Sequence, residues 1–163
     1  MLYQPVKPDL ATMWRGITDT FKAVGIGVEE GSSETLSNLP LDIHIGFCDL
    51  DKESKEQQAL FAHRNNAGRD EICVYFVRSI VPEKVGCASR PTLSGFPNGR
   101  ASAIVTSTAS PWTLAHECGH LLGLDHVTPL DRLMYETTAK ITQKPPLLIP
   151  SEGSKMTNSP IVQ

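Results

Sequence analysis

His116, Glu117, His120, Gly123 and His126 combine residue types that handle metal with a spacing that brings them together. On a helix, His116 and His120 stand one turn apart on one face, so both imidazoles reach a single ion. Glu117 is rotated about 100° further round. It is too far aside to complete the ligand set but placed to meet a water on the ion, which makes it a general base and not a ligand. Gly123 can take the left-handed conformation that ends a helix and turns the chain, and that turn delivers His126 as third ligand. Three neutral imidazoles leave the fourth position of a tetrahedral zinc open for water, as in catalytic sites, whereas structural sites are closed by four protein ligands.

A bare HExxH pair occurs on many helices that bind nothing. Its extension over the eleven positions His116 to His126, with glycine where the chain must bend, has no comparable bland explanation. This stretch resembles the extended signature HExxHxxGxxH of the metzincin metallopeptidases, matched at every fixed position. The resemblance implies a methionine in a tight turn beneath the metal, and Met134 in Leu133-Met134-Tyr135 stands at a suitable distance. The wording is similar to that of matrixins. In astacins and serralysins a metal-reaching tyrosine lies two residues after the methionine, where this chain has Glu136. Tyr135 is therefore not assigned as a ligand.

Further expectations come with the resemblance. The strand shortly before the zinc helix should be an edge strand that pairs with an extended substrate, placing Ala101, Ser102, Ala103, Ile104 and Val105 on the rim of the cleft. The segment 136–146 should wall the pocket for the side chain just after the cleaved bond. Family members are usually secreted as zymogens and work as zinc (Zn2+) endopeptidases on protein or peptide substrates. The implied reaction is attack by a metal-activated water, with Glu117 taking its proton and passing it to the leaving amine. Two alternatives keep the zinc: an amidase or deacylase acting on small or non-peptide amides, and a non-catalytic zinc-bearing binding module. The intact Glu117 speaks against the second, which has no chemical need for a base.

These residues need a scaffold. Leu10, Met13, Trp14, Ile17, Phe21 and Val24 recur at helical steps between Asp9 and Val24, and Gly25 and Gly27 stop that helix. The alternation in Leu41 to Phe47 predicts a half-buried strand, with His44 on its polar face. Asp49, Asp51 and Glu53 lack the glycine and distal glutamate of a calcium loop, so a solvated acidic loop is expected, leading into a helix from Glu53 to His63 that Asn65 to Gly68 ends. His63 is expected to make a favourable contact with the end of that helix. Ile72 to Val77 is apolar on both faces, as a mid-sheet strand can be. Asn98-Gly99 signals a turn into a strand at 100–106. Ser110 as N-cap, Pro111 as first residue and Thr113 at the third position open the zinc helix. Cys118 points about 160° away from both ligands and should pack or pair, while Asp125 is a surface or turn residue. A short helix at Ser151 to Asn158 closes the chain.

The expected fold is α/β (α+β) and zincin-like. A twisted, mixed sheet with helices forms an upper part to about residue 123, above a small irregular lower part, in one domain over 1–163. With 40% hydrophobic and 20% charged residues the composition is ordinary globular. The net charge of -3 and the lack of any Lys/Arg run exclude nucleic acid as a natural partner. Residues 1–8 lack the basic and apolar regions of a secretory signal, and no run of about 18 apolar residues exists. A soluble, monomeric chain that does not bind membranes is expected. The four cysteines Cys48, Cys73, Cys87 and Cys118 permit three complete pairings or buried thiols, and both readings stand.

Overall fold

The computed structural model describes residues 8–40, 42–45, 48, 53–64, 66–68, 70–89 and 101–162. Leu41 and Phe47 of the first expected strand, Asp49 and Asp51, Asn65, and the Asn98-Gly99 turn lie outside the described residues. The fold is mixed α+β, as its sequence predicts.

The first helix, α1 (Leu10–Lys22), begins at Asp9, whose carboxylate accepts a hydrogen bond from Thr12 N at 3.1 Å and satisfies a free amide of the first turn. Its predicted stripe is buried at Met13, Ile17 and Phe21, while Leu10 is exposed. Strand β1 (Asp42–His44) follows, then α2 (Lys55–Phe61), whose Ser54 and Gln57 exchange hydrogen bonds in a capping box. His44 is exposed beside Glu56, as a polar-face histidine should be. His63 is exposed just past α2, and its carbonyl accepts from the Tyr75 hydroxyl.

Strands β2 (Cys73–Val77) and β3 (Ser79–Val81) run on from one another through Arg78. Next come β4 (Gly86–Ser89) and β5 (Ser102–Thr106). The zinc-motif helix is α3 (Thr113–Leu121), and α4 (Pro150–Thr157) closes the order. Strand β1 pairs parallel with β3, and the larger sheet runs β2-β5-β4, with β5 parallel to β2 and antiparallel to β4.

This order corrects two expectations. Strand β2 was expected at the centre of the sheet, but it flanks β5. The edge expected at Ala101 to Val105 is not there, because β5 is paired along both sides, Ala103 with Val74 and Ala88, and Ile104 with Tyr75 and Cys87. The physical reason is visible in its side chains. Every β5 residue is buried: Ile104 points into a cluster with Ile43, Phe61 and Tyr75, and Val105 into the opposite one with Met13, Leu114 and Cys118. A strand covered on both faces with no charge in it belongs in the middle of a sheet. Among the described strands β4 is the edge next to α3, and its four residues are short, as edges tend to be.

Helices α1 and α3 thus cover one face of the sheet and α2 the other. The core under α3 includes Leu114, Leu122, Leu133, Met134 and Met156, and each such large apolar side chain contributes roughly 1.5–3 kcal/mol by leaving water. No helix among the described residues is long and apolar enough to cross a membrane.

Candidate metal centre

Helix α3 starts one turn element later than its sequence predicts. Residues 110–112 form a turn in which Thr113 N donates to Ser110 O, and the Ser110 hydroxyl pairs with that of Thr113 instead of capping an amide. Trp112 holds the cap position, and His116 N donates to its carbonyl.

The far end matches expectation closely. Gly123 has φ +97°, Gly123 N donates to His120 O, and Leu124 N donates to Gly119 O. That pair of bonds is a Schellman termination, which needs a residue free to take positive φ at Gly123. The reversed chain then brings His126 back over the helix. His116, His120 and His126 converge with Nε2 atoms 3.1 Å (116–120), 3.1 Å (120–126) and 3.2 Å (116–126) apart.

The other ring nitrogens explain what those three atoms can do. His116 Nδ1 is 2.8 Å from Leu133 O and His120 Nδ1 is 2.9 Å from Leu124 O. A carbonyl only accepts, so each Nδ1 carries the proton and each Nε2 presents a bare lone pair. Burial, opposed by the Leu133 hydrogen bond and aided by the two neighbouring rings, lowers the His116 pKa to about 4, which keeps it neutral at ordinary pH. Lone pairs so aligned have nothing to donate to one another. Their separation is close to the roughly 3.3 Å edge expected of nitrogen ligands about 2.0 Å from a tetrahedral ion. The donor set therefore fits a zinc-type metal.

Glu117 does not join this cluster. It is buried, and its carboxyl lies against Gly86 of β4. Burial pushes its pKa up to about 8, against the pull of Lys84. A cation held by the three imidazoles would draw it back down.

Met134 is fully buried beneath α3, in a turn where Tyr135 N donates to Arg132 O and Val127 N donates to Met134 O. A Cβ on Gly119 would lie 2.6 Å from the Met134 sulfur. A helix-interior glycine costs about 0.5–1 kcal/mol relative to alanine, and here it makes room for the thioether. That contact was not read from the sequence, although the glycine inside the motif was its signal.

Asp125 is exposed and ion-paired with Lys155 at 3.0 Å, outside the metal cluster. Cys118 was expected to pack or pair, and it packs: it is buried in the core with a free thiol. Among the described residues the three histidines are the one group of three or more His, Cys, Asp or Glu that can hold a metal. Glu53 instead accepts a hydrogen bond from Ser89 Oγ at 2.8 Å. The segment 136–146 contains a short 3-10 turn, Thr138–Lys140, and lines a cavity of about 520 Å³ together with α1 and residues 110–112.

Fold and site together define a mixed α+β protein with a candidate three-histidine metal site, two of its histidines on α3 and the third just beyond it. The crystal structure of metalloproteinase-II from Bacteroides fragilis resembles it with a TM-score of 0.61 and 22% sequence identity, over 95% of this chain and 48% of that one. This chain spans about half the length of that structure. No family model matches the chain, and no curated protein does.

Proposed function

We propose that this chain is a zinc-dependent endopeptidase of metzincin type, with residues 1–163 as its catalytic domain. One observation carries the reading: three imidazoles present Nε2 to a common point, two of them from the helix that also carries Glu117, whose carboxyl lies against Gly86 of the edge strand β4. Likeness in fold to a metalloproteinase supports it.

Zinc held by His116, His120 and His126 would supply Lewis acidity, polarising the scissile carbonyl and acidifying water. The protein's own groups do the rest. Leu133 O and Leu124 O hold the His116 and His120 rings in the ligand tautomer. A Glu117 carboxylate oxygen takes the proton of the attacking water and later gives it to the leaving amine. Met134, packed under Gly119, keeps the floor of the site from shifting without touching substrate.

The substrate is an extended peptide. With β5 paired on both sides, the strand that receives it is β4, whose outer backbone groups offer strand addition at Gly86 to Ser89. The cavity walled by Thr138, Ile141 and Lys144 is the proposed seat of the side chain following the cleaved bond. Secretion and a monomeric state belong to the same proposal.

The test is mass spectrometry of a proteome-derived peptide library digested by zinc-loaded protein, with Glu117→Ala and a chelated sample alongside. Cleavage present in the first and absent from both controls is expected, with a loss of about 10²–10⁴-fold from removal of the base. Turnover in Glu117→Ala equal to that of the unmodified protein would refute the base assignment. No cleavage by the zinc-loaded protein would count against an endopeptidase.

A further inference from the structure

Strand β4 bears directly on the carboxylate of α3. A Cβ built on Gly86 would overlap Glu117 Oε1, and it would lie 2.9 Å from Glu117 Cδ and 2.8 Å from Thr113 Cγ2. Something would have to move, and the neighbours are not equally free. Thr113 is buried and β-branched, so its χ1 is stiff. Its hydroxyl is also 2.9 Å from Thr138 Oγ1 and 3.1 Å from Ser110 Oγ. The strand is held by its ladder to β5 and by a Cys48–Cys87 disulfide at the next residue. The Glu117 carboxyl, at the far end of an unbranched side chain, is the neighbour that can shift with least disturbance.

We propose that Gly86 is a positioning residue, whose missing side chain forms, with Thr113 one helical turn before Glu117, the seat that fixes where the Glu117 carboxylate stands. The inference rests on Glu117 being the base. Gly86 touches no reacting atom; it sets where the base stands. An added methyl group leaves the ligands and the fold in place and moves the carboxylate away from its working position.

Two measurements test this. In metal-free protein, Gly86→Ala is made in the unmodified and in the Glu117→Ala background and melted. The loss in Tm should be roughly 2–4 °C smaller when the carboxylate is absent, the signature of coupled neighbours. Equal losses would overturn the proposal, and this readout stands even if the chain cleaves no peptide.

On a peptide that the unmodified enzyme cuts, Gly86→Ala should lower kcat on the order of 10²-fold, as expected for a misplacement of about 1 Å. KM should stay within about twofold and bound zinc should be unchanged. Adding Thr113→Ser removes Cγ2, keeps the hydroxyl and should restore about tenfold of kcat by giving the new methyl group room. If Gly86→Ala alone does not fold, the Gly86→Ala/Thr113→Ser pair is compared with Thr113→Ser. An unchanged kcat, or a loss carried by KM, would overturn the proposal. A zinc-loaded unmodified protein that cuts nothing would instead refute the peptidase reading.

Discussion

His116 Nδ1 donates to the carbonyl of Leu133 at 2.8 Å, so the first of the three clustered histidines is tied to the residue just before Met134. The bond crosses from α3 to the chain beyond it and is buried, where an unpaired partner costs about 1–3 kcal/mol. One contact thus fixes the imidazole tautomer and anchors the methionine turn. Leu133 N in turn donates to Leu147 O at 3.0 Å, so the turn is held from its other side as well.

Met134 fills the space opened by Gly119. Met134→Ala should destabilise by about 2–5 kcal/mol, read as a Tm lower by roughly 5–15 °C. Met134→Leu should cost less than about 1.5 kcal/mol. A Met134→Ala protein that melts with the unmodified one would show the packing role to be wrong.

Metal binding should be visible without any substrate. A ligand that binds only the folded state at a hundredfold excess over its Kd adds about 2.7 kcal/mol, or roughly 5–10 °C in Tm. His126 is the exposed member of the three candidate ligands, so His126→Ala should leave the metal-free Tm nearly unchanged. It should remove most of the rise produced by zinc. Differential scanning fluorimetry with and without chelator would decide, and an undiminished rise in His126→Ala would place the metal elsewhere.

Asp131 controls the segment after the methionine turn. Its Oδ1 accepts from Thr142 N at 2.7 Å, Gln143 N at 2.9 Å and the Thr142 hydroxyl. The Gln143 and Thr142 amides, followed by that hydroxyl, lower its pKa below the ordinary 3.8. A carboxyl depressed in the folded state contributes stability that is complete above its unfolded pKa and disappears as pH falls through the folded value. The Tm difference between unmodified protein and Asp131→Ala should be constant above about pH 5 and shrink below about pH 4. A difference that grows on acidification would contradict the assignment.

The cysteines make a chemical prediction. Cys48 and Cys87 are bonded, with Cα atoms 5.5 Å apart, while Cys73 and Cys118 are free. Alkylation of unfolded, unreduced protein should label two thiols, and four after reduction. In the folded protein Cys73, half-buried, should react ahead of Cys118, whose pKa burial pushes up to about 12. Replacing Cys48 and Cys87 by serine should cost on the order of 2–4 kcal/mol, because the bond closes a loop with a sequence separation of 39. Four reactive thiols in unreduced protein would disprove the pairing.

By itself the sequence determined what depends on neighbours within a turn or two. The spacing of His116 and His120, the helix stop at Gly123 and the return of His126 follow from helical periodicity and one permitted φ, and the structure brings those three imidazoles together. The stripe of α1 and the closing helix α4 were legible for the same reason. Strand order was not. Alternation reports which faces of a strand are buried and is silent on which strands lie beside it. Five buried, uncharged residues in β5 were a signal for a central place, outweighed by its position just before the helix that carries His116 and His120. The tertiary structure alone decided that β4 is the edge beside α3, that Cys48 meets Cys87, that Leu133 O orients His116 and that Gly86 faces Glu117. Each joins residues more than fifteen positions apart, and only packing of the whole chain brings such pairs into contact.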